Sequence, residues 1–496
     1  MKNKKLRRGL RGFCAALILV LSFTCVWNSQ VRVVHATEDE KKDEKKEELT
    51  DEEKKMKEEL DAAYKIKTES NDIPNWPQGP GTYGEAAIVM EVGTGAILYA
   101  KNIDAHFYPA SITKLLTALV AFENADLTDE VRVTESSVNF LEWDDARINL
   151  KPGNKLSLKD AMYALLLASA NDAAHAIGES VGENVGHDYD WFIGQMNKRC
   201  KELGGENSNF VNTNGLHDEN HYTCARDMAL IARELYKYPE VFPIMQTLEY
   251  TIPKSDTIEE HYFYQYHQML MPANANYYEY AIGGKTGYTD QALSTLVTMT
   301  DNKDMQLVCV VLKTHGVNVY PDTRHLCDYA YNNFHKVSVA DNEKSEDIER
   351  IMDDGTGYVV LPDSVTFDQL EMTLTPDDAT CRRSTEATLE YTYQGQYAGM
   401  ARAQLSKAYI DKHSVKTEKK TVAKKKTTVK SEPAPKDLIG KTIYRVKNYF
   451  LRSDGTLNTA RVIIVAGLAL WILLVILMLH TIVKRKRNDK KKHQTP

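Results

Sequence analysis

The order of strand-like and helix-like segments is the feature of this sequence that most constrains its fold. Residues 86–91 and 96–100 are short apolar runs separated by a glycine-containing turn, and they predict a β-hairpin. Residues 293–300 and 305–313 predict a second hairpin in the same way. The sequence between the two hairpins has a largely helical pattern. Strands at both ends and helices in the middle favour an antiparallel sheet covered by helices, which is an α+β domain.

A serine and a lysine three positions apart, Ser111 and Lys114, stand at the start of an apolar run that continues through Ala121. The run predicts a largely buried helix, on which residues three apart share one side. A serine attacks a carbonyl only after a base removes its proton, and a lysine is such a base only when its pKa is lowered. The pair alone arises often by chance, and its simpler interpretation is a helix start with a solvated lysine.

Two later motifs give this pair a chemical context. Ser169 and Asn171 follow a buried apolar stretch, and residues 285–287 read Lys-Thr-Gly. Ser-x-x-Lys, Ser-Asp-Asn and Lys-Thr-Gly are the motifs of penicillin-binding proteins and class A β-lactamases; Ala170 here replaces the Asp. Over roughly residues 75–335, the chain resembles the low-molecular-weight penicillin-binding proteins, which are serine-type D-alanyl-D-alanine carboxypeptidases of the peptidase S11 kind. The resemblance implies a serine β-lactamase/transpeptidase-like catalytic domain.

The resemblance also implies a role for each residue of the motifs. Ser111 is expected to be the nucleophile, and Lys114 is expected to accept its proton. Ser169 is expected to relay a proton to the leaving amine, while Asn171 orients Lys114 and the substrate amide. The positions expected to bind the substrate are Lys285, Thr286, Gly287 and Tyr288.

Each of those four positions is expected to contact or leave room for a different part of the substrate's terminal dipeptide. By resemblance, Lys285 keeps the site electropositive, which lowers the pKa of the catalytic amine and attracts the terminal carboxylate. Thr286 hydrogen-bonds that carboxylate, and Gly287 leaves room for the substrate backbone. The backbone N–H groups of Ser111 and Tyr288 are expected to form the oxyanion hole.

The implied reaction is removal of the C-terminal D-Ala from peptidoglycan pentapeptide stems through a Ser111 acyl-enzyme, with covalent inhibition by penicillins. Stem peptides and β-lactams are therefore the expected partners. No cofactor is expected, and the cysteines show no zinc-like spacing, so no metal site is predicted. The net charge of −7 gives no indication of nucleic-acid binding. The sequence leaves the oligomeric state open.

Three alternatives remain at this stage. A class A β-lactamase needs a second base in a Glu-x-x-Leu-Asn setting, and no such string occurs between Asp172 and Lys285. A transpeptidase is a second enzymatic alternative. A non-catalytic β-lactam sensor or cell-wall binding protein is the third, although every expected catalytic position is present. The rates of penicillin hydrolysis and of D-Ala release would distinguish among them.

Both ends of the chain indicate export and membrane anchoring. Residues 1–36 combine a basic start, an apolar run and small residues before a cleavage site, and they predict a secretory signal peptide. Residues 462–483 form an apolar run long enough to be a transmembrane helix. Residues 484–496 are a basic tail, which the positive-inside rule places in the cytoplasm. The catalytic domain is therefore expected on the extracytoplasmic side of the cell membrane, held by a single-pass helix.

Four further segments complete the expected organisation. Residues 37–74 are dominated by Glu, Asp and Lys and predict a charged disordered spacer, with a solvated helix as the alternative. Residues 336–410 contain recurring short strand patterns and predict a small all-β domain. Residues 411–437 are a basic linker, and residues 438–461 mix apolar with basic residues, as in a juxtamembrane segment.

Overall fold

The computed structural model describes residues 49–352 and 357–414, which fall within one compact unit of the chain. The predicted signal peptide, juxtamembrane segment, transmembrane helix and cytoplasmic tail lie outside these residues, as does nearly all of the basic linker. None of the helices in the described ranges is long and apolar enough to cross a membrane.

The secondary structure alternates between short strands and helices along the whole described chain. The strands are β1 Ala86–Glu91, β2 Ile97–Lys101, β3 Glu130–Arg132, β4 Lys155–Ser157, β5 Glu249–Ile252, β6 His261–Tyr264, β7 Ala281–Thr289, β8 Leu293–Asp301, β9 Gln306–Thr314, β10 Phe334–Ser338, β11 Ile348–Met352, β12 Tyr358–Pro362, β13 Glu371–Pro376, β14 Glu386–Tyr393 and β15 Gln396–Leu405. The helices are α1 Asp51–Tyr64, α2 Lys114–Asn124, α3 Leu158–Leu166, α4 Asn171–Asn184, α5 Tyr189–Glu202, α6 Ala225–Leu235, α7 Val241–Gln246, α8 Val319–Asn333, α9 Val339–Asn342 and α10 Lys407–His413.

The central sheet has the strand order β2-β1-β9-β8-β7, and every neighbouring pair is antiparallel. Both predicted hairpins are present, as β1–β2 and β8–β9. Strand β1 is buried along its whole length because helices cover both faces of the sheet. Helix α6 packs against β1 and β9 on one face, and α8 packs against β8 and β9. The α+β prediction, an antiparallel sheet covered by helices, is confirmed.

The helix after Ser111 is the centre of the helical layer. Every residue from Lys114 to Ala121 is buried, as the apolar run predicted. Ser111 itself lies just outside this helix, on a 3₁₀ turn that spans Ala110–Thr113. The turn is entered through Ala110, whose φ of +51° is unusual for a residue other than glycine. Ser111 therefore lies on a sharp turn that leads into a buried helix.

Of the two alternatives for residues 37–74, the part that the structure describes contains a helix, Asp51–Tyr64, where the first alternative was disorder. Thr50 and Glu53 form a capping box, in which each side chain accepts a hydrogen bond from the other residue's backbone N–H, and helix α1 begins there. At the other end of α1, the Ala63 carbonyl accepts a hydrogen bond of 2.8 Å from the buried Lys101 ammonium. Charge composition suggested disorder, but a cap and one buried lysine hold this helix on the catalytic domain.

The strands from residue 334 onward form a second antiparallel sheet with the order β10-β12-β15-β14-β13, and β11 also pairs with β15, at residues 402–405. This sheet shares buried side chains with the catalytic region. The Trp76 ring packs against Phe334 and Tyr393 at centroid distances of 5.1 and 6.3 Å. The Tyr358 hydroxyl donates a hydrogen bond of 2.9 Å to Glu91. The β domain is thus continuous with the catalytic core.

Candidate active site

The residues predicted for the site meet at one cleft of about 350 Å³. Five of them line it: Ser111, Ser169, Thr286, Gly287 and Tyr288. The other three, Lys114, Asn171 and Lys285, are buried. The structure therefore brings together three motifs that lie far apart in the sequence.

The backbone around the nucleophile is fixed from two directions. The Thr295 hydroxyl on β8 donates to the Pro109 carbonyl at 2.9 Å, and the Thr113 hydroxyl donates to the Ala110 carbonyl at 2.9 Å. Gly287 on β7 lies so close to this turn that a Cβ added there would be 2.9 Å from the Ser111 nitrogen. Only a glycine at position 287 allows the strand and the nucleophile turn to approach this closely.

Lys114 is positioned by three hydrogen bonds. Its ammonium lies 3.0 Å from the Ser111 hydroxyl, 2.6 Å from Asn171 Oδ1 and 2.6 Å from the Asn214 carbonyl. Burial lowers the pKa of Lys114 well below its usual range, and the positive charge of Lys285 lowers this pKa further. The resemblance attributed this tuning to Lys285, but burial is the larger cause. The environment of Lys114 therefore favours its neutral form, which is the form that can accept a proton.

Ser169 lies in the loop between α3 and α4 with a φ of +56°, which turns this residue toward the cleft. The next residues are held by backbone hydrogen bonds from Ala170 N to Ala164 and from Asn171 N to Ala146. Within the described residues, no hydrogen bond joins the Ser169 hydroxyl to Lys114. The structure therefore places Ser169 in the cleft, and its role as a proton relay stays a prediction.

Lys285 lies on β7, where its ammonium donates to the Thr286 carbonyl at 2.8 Å. Burial lowers the pKa of Lys285 to about 7. A carboxylate that entered the cleft would favour the charged form of this lysine. Tyr288, the last predicted binding residue, exposes 62% of its surface and forms part of the mouth of the cleft.

The sequence did not reveal several residues that build the site. The Asn214 carbonyl binds Lys114, and its neighbour Gly215 has a φ of +87° and packs directly on the Ala110 carbonyl. The side chains of Tyr266 and Tyr320 also line the cleft. A glycine after an asparagine signals a turn, but no sequence signal shows which distant carbonyl a turn will present.

His221 has a structural environment behind the turn that carries Ser111. Its Nε2 is 2.8 Å from the Thr113 hydroxyl, and its Nδ1 accepts a hydrogen bond from the Val211 N–H at 3.0 Å. Burial lowers the pKa of His221 to about 4. A neutral, doubly hydrogen-bonded imidazole supports the nucleophile turn from behind.

The peptidase S11 family, described as D-alanyl-D-alanine carboxypeptidase, matches residues 75–316. Residues 75–316 of this chain are thus similar to the S11 family. The resemblance predicted from the three motifs is therefore confirmed, and the eight predicted site residues all fall within the S11 region.

Two curated relatives and one solved structure are similar to the chain. D-alanyl-D-alanine carboxypeptidase DacF of Bacillus subtilis is 32% identical over 232 residues, which cover 46% of this chain and 56% of DacF. DacA of Haemophilus influenzae is 29% identical over 301 residues, which cover 58% of this chain and 72% of DacA. The crystal structure of penicillin binding protein 5 from Haemophilus influenzae is 25% identical with a TM-score of 0.52 and covers 66% of this chain and 98% of that chain. The chain thus spans only a little over half the length of DacF.

Proposed function

We propose that this protein is a serine-type D-alanyl-D-alanine carboxypeptidase, which removes the C-terminal D-Ala from peptidoglycan pentapeptide stems. The observation that carries this proposal is the buried ammonium of Lys114, 3.0 Å from the Ser111 hydroxyl. The similarity of residues 75–316 to a family of D-alanyl-D-alanine carboxypeptidases supports the same reaction.

In the first step, the neutral Lys114 amine accepts the proton of the Ser111 hydroxyl as the serine oxygen attacks the carbonyl of the penultimate D-Ala. The developing negative charge is stabilised by the backbone N–H groups of Ser111 and Tyr288. Asn171 Oδ1 and the Asn214 carbonyl hold the amine in line with the serine, because each accepts a hydrogen bond from it.

In the second step, the peptide bond breaks and the terminal D-Ala leaves with a proton that Lys114 supplies through Ser169. Lys285 and Thr286 bind the carboxylate of the departing D-Ala. A water molecule then attacks the ester on Ser111, with Lys114 again as the base, and regenerates the hydroxyl. A penicillin would follow the first step only, leaving its opened ring esterified to Ser111.

A class A β-lactamase mechanism requires a carboxylate poised to activate the deacylating water. None of the residues that line the cleft in the described part of the chain is an Asp or a Glu. The nearby Asp172 is buried, and its carboxylate accepts hydrogen bonds from the backbone N–H groups of Leu150 and Ala173. This carboxylate is engaged in holding the backbone, which favours the carboxypeptidase over the β-lactamase.

The location of the enzyme is also a proposal. A signal peptide at residues 1–36 and a transmembrane helix at residues 462–483 would place the catalytic domain outside the cell membrane, where peptidoglycan lies. Protease accessibility of the catalytic domain on intact spheroplasts would test this arrangement; protection of the catalytic domain would contradict it.

The reaction is tested by measuring D-alanine release from a peptide that ends in Lys-D-Ala-D-Ala, with the full chain in detergent beside its Ser111→Ala variant. We expect release by the parent protein and none by the variant, and labelled penicillin should mark only the parent. Folded parent protein that releases no D-alanine would contradict the carboxypeptidase. Rapid penicillin turnover would then indicate the β-lactamase, and labelling of both proteins would overturn Ser111 as the nucleophile.

A further inference from the structure

A second cavity of about 490 Å³ has a lining distinct from that of the proposed active-site cleft. Its wall includes Tyr108, Glu219, Tyr222 and Gln291. Tyr108 precedes the nucleophile Ser111 by three residues, and Gln291 follows Tyr288 by three residues, so both chain segments that border the reaction point lead to this cavity. The cavity has no role in the mechanism described above.

The direction of the bound peptide points to the same cavity, if the proposed function holds. The terminal carboxylate lies at Lys285 and Thr286, and the reacting carbonyl lies between the N–H groups of Ser111 and Tyr288. The residues that precede the D-Ala pair must therefore leave along β7 past Tyr288. That path ends at the β7–β8 turn, where Gln291 lines the cavity.

The distance from the reaction point to the cavity also matches the reach of the residue directly before the D-Ala pair. Three residues of extended chain span at most about 10 Å, which bounds the separation of Tyr108 from Ser111. From the reacting D-Ala, one Cα step of about 3.8 Å and a lysine-length side chain of about 6 Å together reach about 10 Å. The side chain of the preceding residue can therefore enter the cavity while its backbone stays on β7.

The residues that line the cavity indicate which kind of side chain it would bind. Glu85 and Lys313 form an ion pair of 2.9 Å and balance each other's charge. Glu219 is exposed and makes no hydrogen bond or ion pair within the residues that the structure describes. Two tyrosine rings line the same cavity, with Tyr222 stacked on His106 at 4.5 Å and Tyr108 edge-on to His217 at 4.6 Å.

A free carboxylate next to tyrosine rings attracts an ammonium group through charge and through cation–π contact. We propose that this cavity binds the side-chain ammonium of the residue that precedes D-Ala-D-Ala, with Glu219 as its counter-ion. This inference rests on the proposed function and deepens it, because it makes stems with a diamino acid at that position the preferred substrates.

The experiment compares two peptides that differ only at this amine, one ending in Lys-D-Ala-D-Ala and one ending in Nε-acetyl-Lys-D-Ala-D-Ala. We expect the full chain to prefer the free amine in kcat/KM by about fivefold, the size of one partly exposed ion pair, and mainly through KM. Glu219→Gln should abolish this preference and leave the rate on the acetylated peptide unchanged. Glu206→Gln is the matched control, since Glu206 is an exposed glutamate that does not line the cavity, and it should retain the preference.

Binding of the same peptides to Ser111→Ala protein, measured by calorimetry, gives a readout that needs no turnover. The free amine should bind about fivefold more tightly to Ser111→Ala than to Ser111→Ala/Glu219→Gln. Equal affinity for the two peptides, or a preference that survives Glu219→Gln, would overturn the ammonium site. A missing D-Ala release with an intact binding preference would instead count against the proposed reaction alone.

Discussion

The ammonium of Lys114 and the hydroxyl of Ser111 lie 3.0 Å apart at the junction between a 3₁₀ turn and a buried helix. The lysine is fully buried, while the serine reaches the cleft. This arrangement separates two requirements of the reaction, since burial tunes the base and the turn exposes the nucleophile.

Replacement of Lys114 by methionine should remove the base but keep most of its apolar packing. We expect the rate of acylation by penicillin to fall by about 10²–10⁴-fold, the usual contribution of general base catalysis. The measurement is the rate of covalent labelling under pseudo-first-order conditions, with circular dichroism as the check on folding. Labelling at an unchanged rate would show that another group accepts the serine proton.

The pH dependence of acylation should report both buried lysines. The neutral form of Lys114 is needed, so the rate should rise with pH through its lowered pKa and reach its maximum below the range of an ordinary lysine. The pKa of Lys285 is about 7 in the empty site, and loss of its charge at higher pH should weaken carboxylate binding and produce a falling limb. Because the two groups interact, the two limbs describe the pair.

Lys285→Gln should move the rising limb to higher pH, because removal of a nearby positive charge raises the pKa of Lys114. It should also remove the falling limb. The measurement is the second-order rate constant of penicillin acylation across roughly pH 5 to 11, the range that covers histidine and lysine titration. Lys159→Gln, at an exposed lysine on α3, should leave both limbs in place. A rising limb that does not move in Lys285→Gln would contradict the electrostatic coupling.

Gly287→Ala should disrupt the site while the global fold survives. The added Cβ would meet the Ser111 nitrogen at 2.9 Å and press on the Thr295 hydroxyl, so β7 and the nucleophile turn must move apart. We expect acylation to fall by about 10²-fold, as for a misplacement of about 1 Å.

Gly194→Ala on α5 is the control for Gly287→Ala, because a Cβ there meets no atom within 4 Å. It should retain full activity and gain up to about 1 kcal/mol in stability from helix propensity. Equal activity of the two variants, measured by penicillin labelling, would show that the close approach at Gly287 is dispensable.

Trp76→Ala should destabilise the catalytic and β domains together. The Trp76 ring is 95% buried between Phe334 and Tyr393, and its Nε1–H donates to the Leu98 carbonyl at 3.0 Å. Loss of such a side chain costs about 3–5 kcal/mol. Trp143→Ala is the matched control, since Trp143 is 86% exposed, and it should change stability by less than about 0.5 kcal/mol.

A single cooperative thermal transition that moves down in Trp76→Ala would support the shared core. Two transitions, of which only one responds to the substitution, would contradict it, because they would mean that the two domains unfold independently.

The local part of the site was predictable from the sequence. Ser111 and Lys114 are three residues apart, so a turn followed by an apolar run was enough to bring their side chains together. The two hairpins and the buried helix α2 were predictable for the same reason, since apolar patterns of period two and 3.6 depend on neighbouring residues only.

Two local predictions differed from the structure for physical reasons. Composition suggested disorder around residues 37–74, although Thr50 and Glu53 carry the spacing of a capping box that starts α1. The sequence also placed Ser111 on the first turn of the helix, whereas the positive φ of Ala110 produces a 3₁₀ turn before it. Helix caps and strained turns give only weak signals in the sequence, and tertiary contacts stabilise the conformations that form.

The sequence by itself indicated which groups are proposed to carry the chemistry: a serine, an amine three residues away, and the Ser-x-Asn and Lys-Thr-Gly motifs. Only the tertiary structure decided how that amine is tuned and held. The carbonyl of Asn214 meets Lys114 from a loop a hundred positions further along, and burial lowers the pKa of Lys114 more than the charge of Lys285 does. Desolvation depends on everything packed around a group, and no short stretch of sequence contains that information.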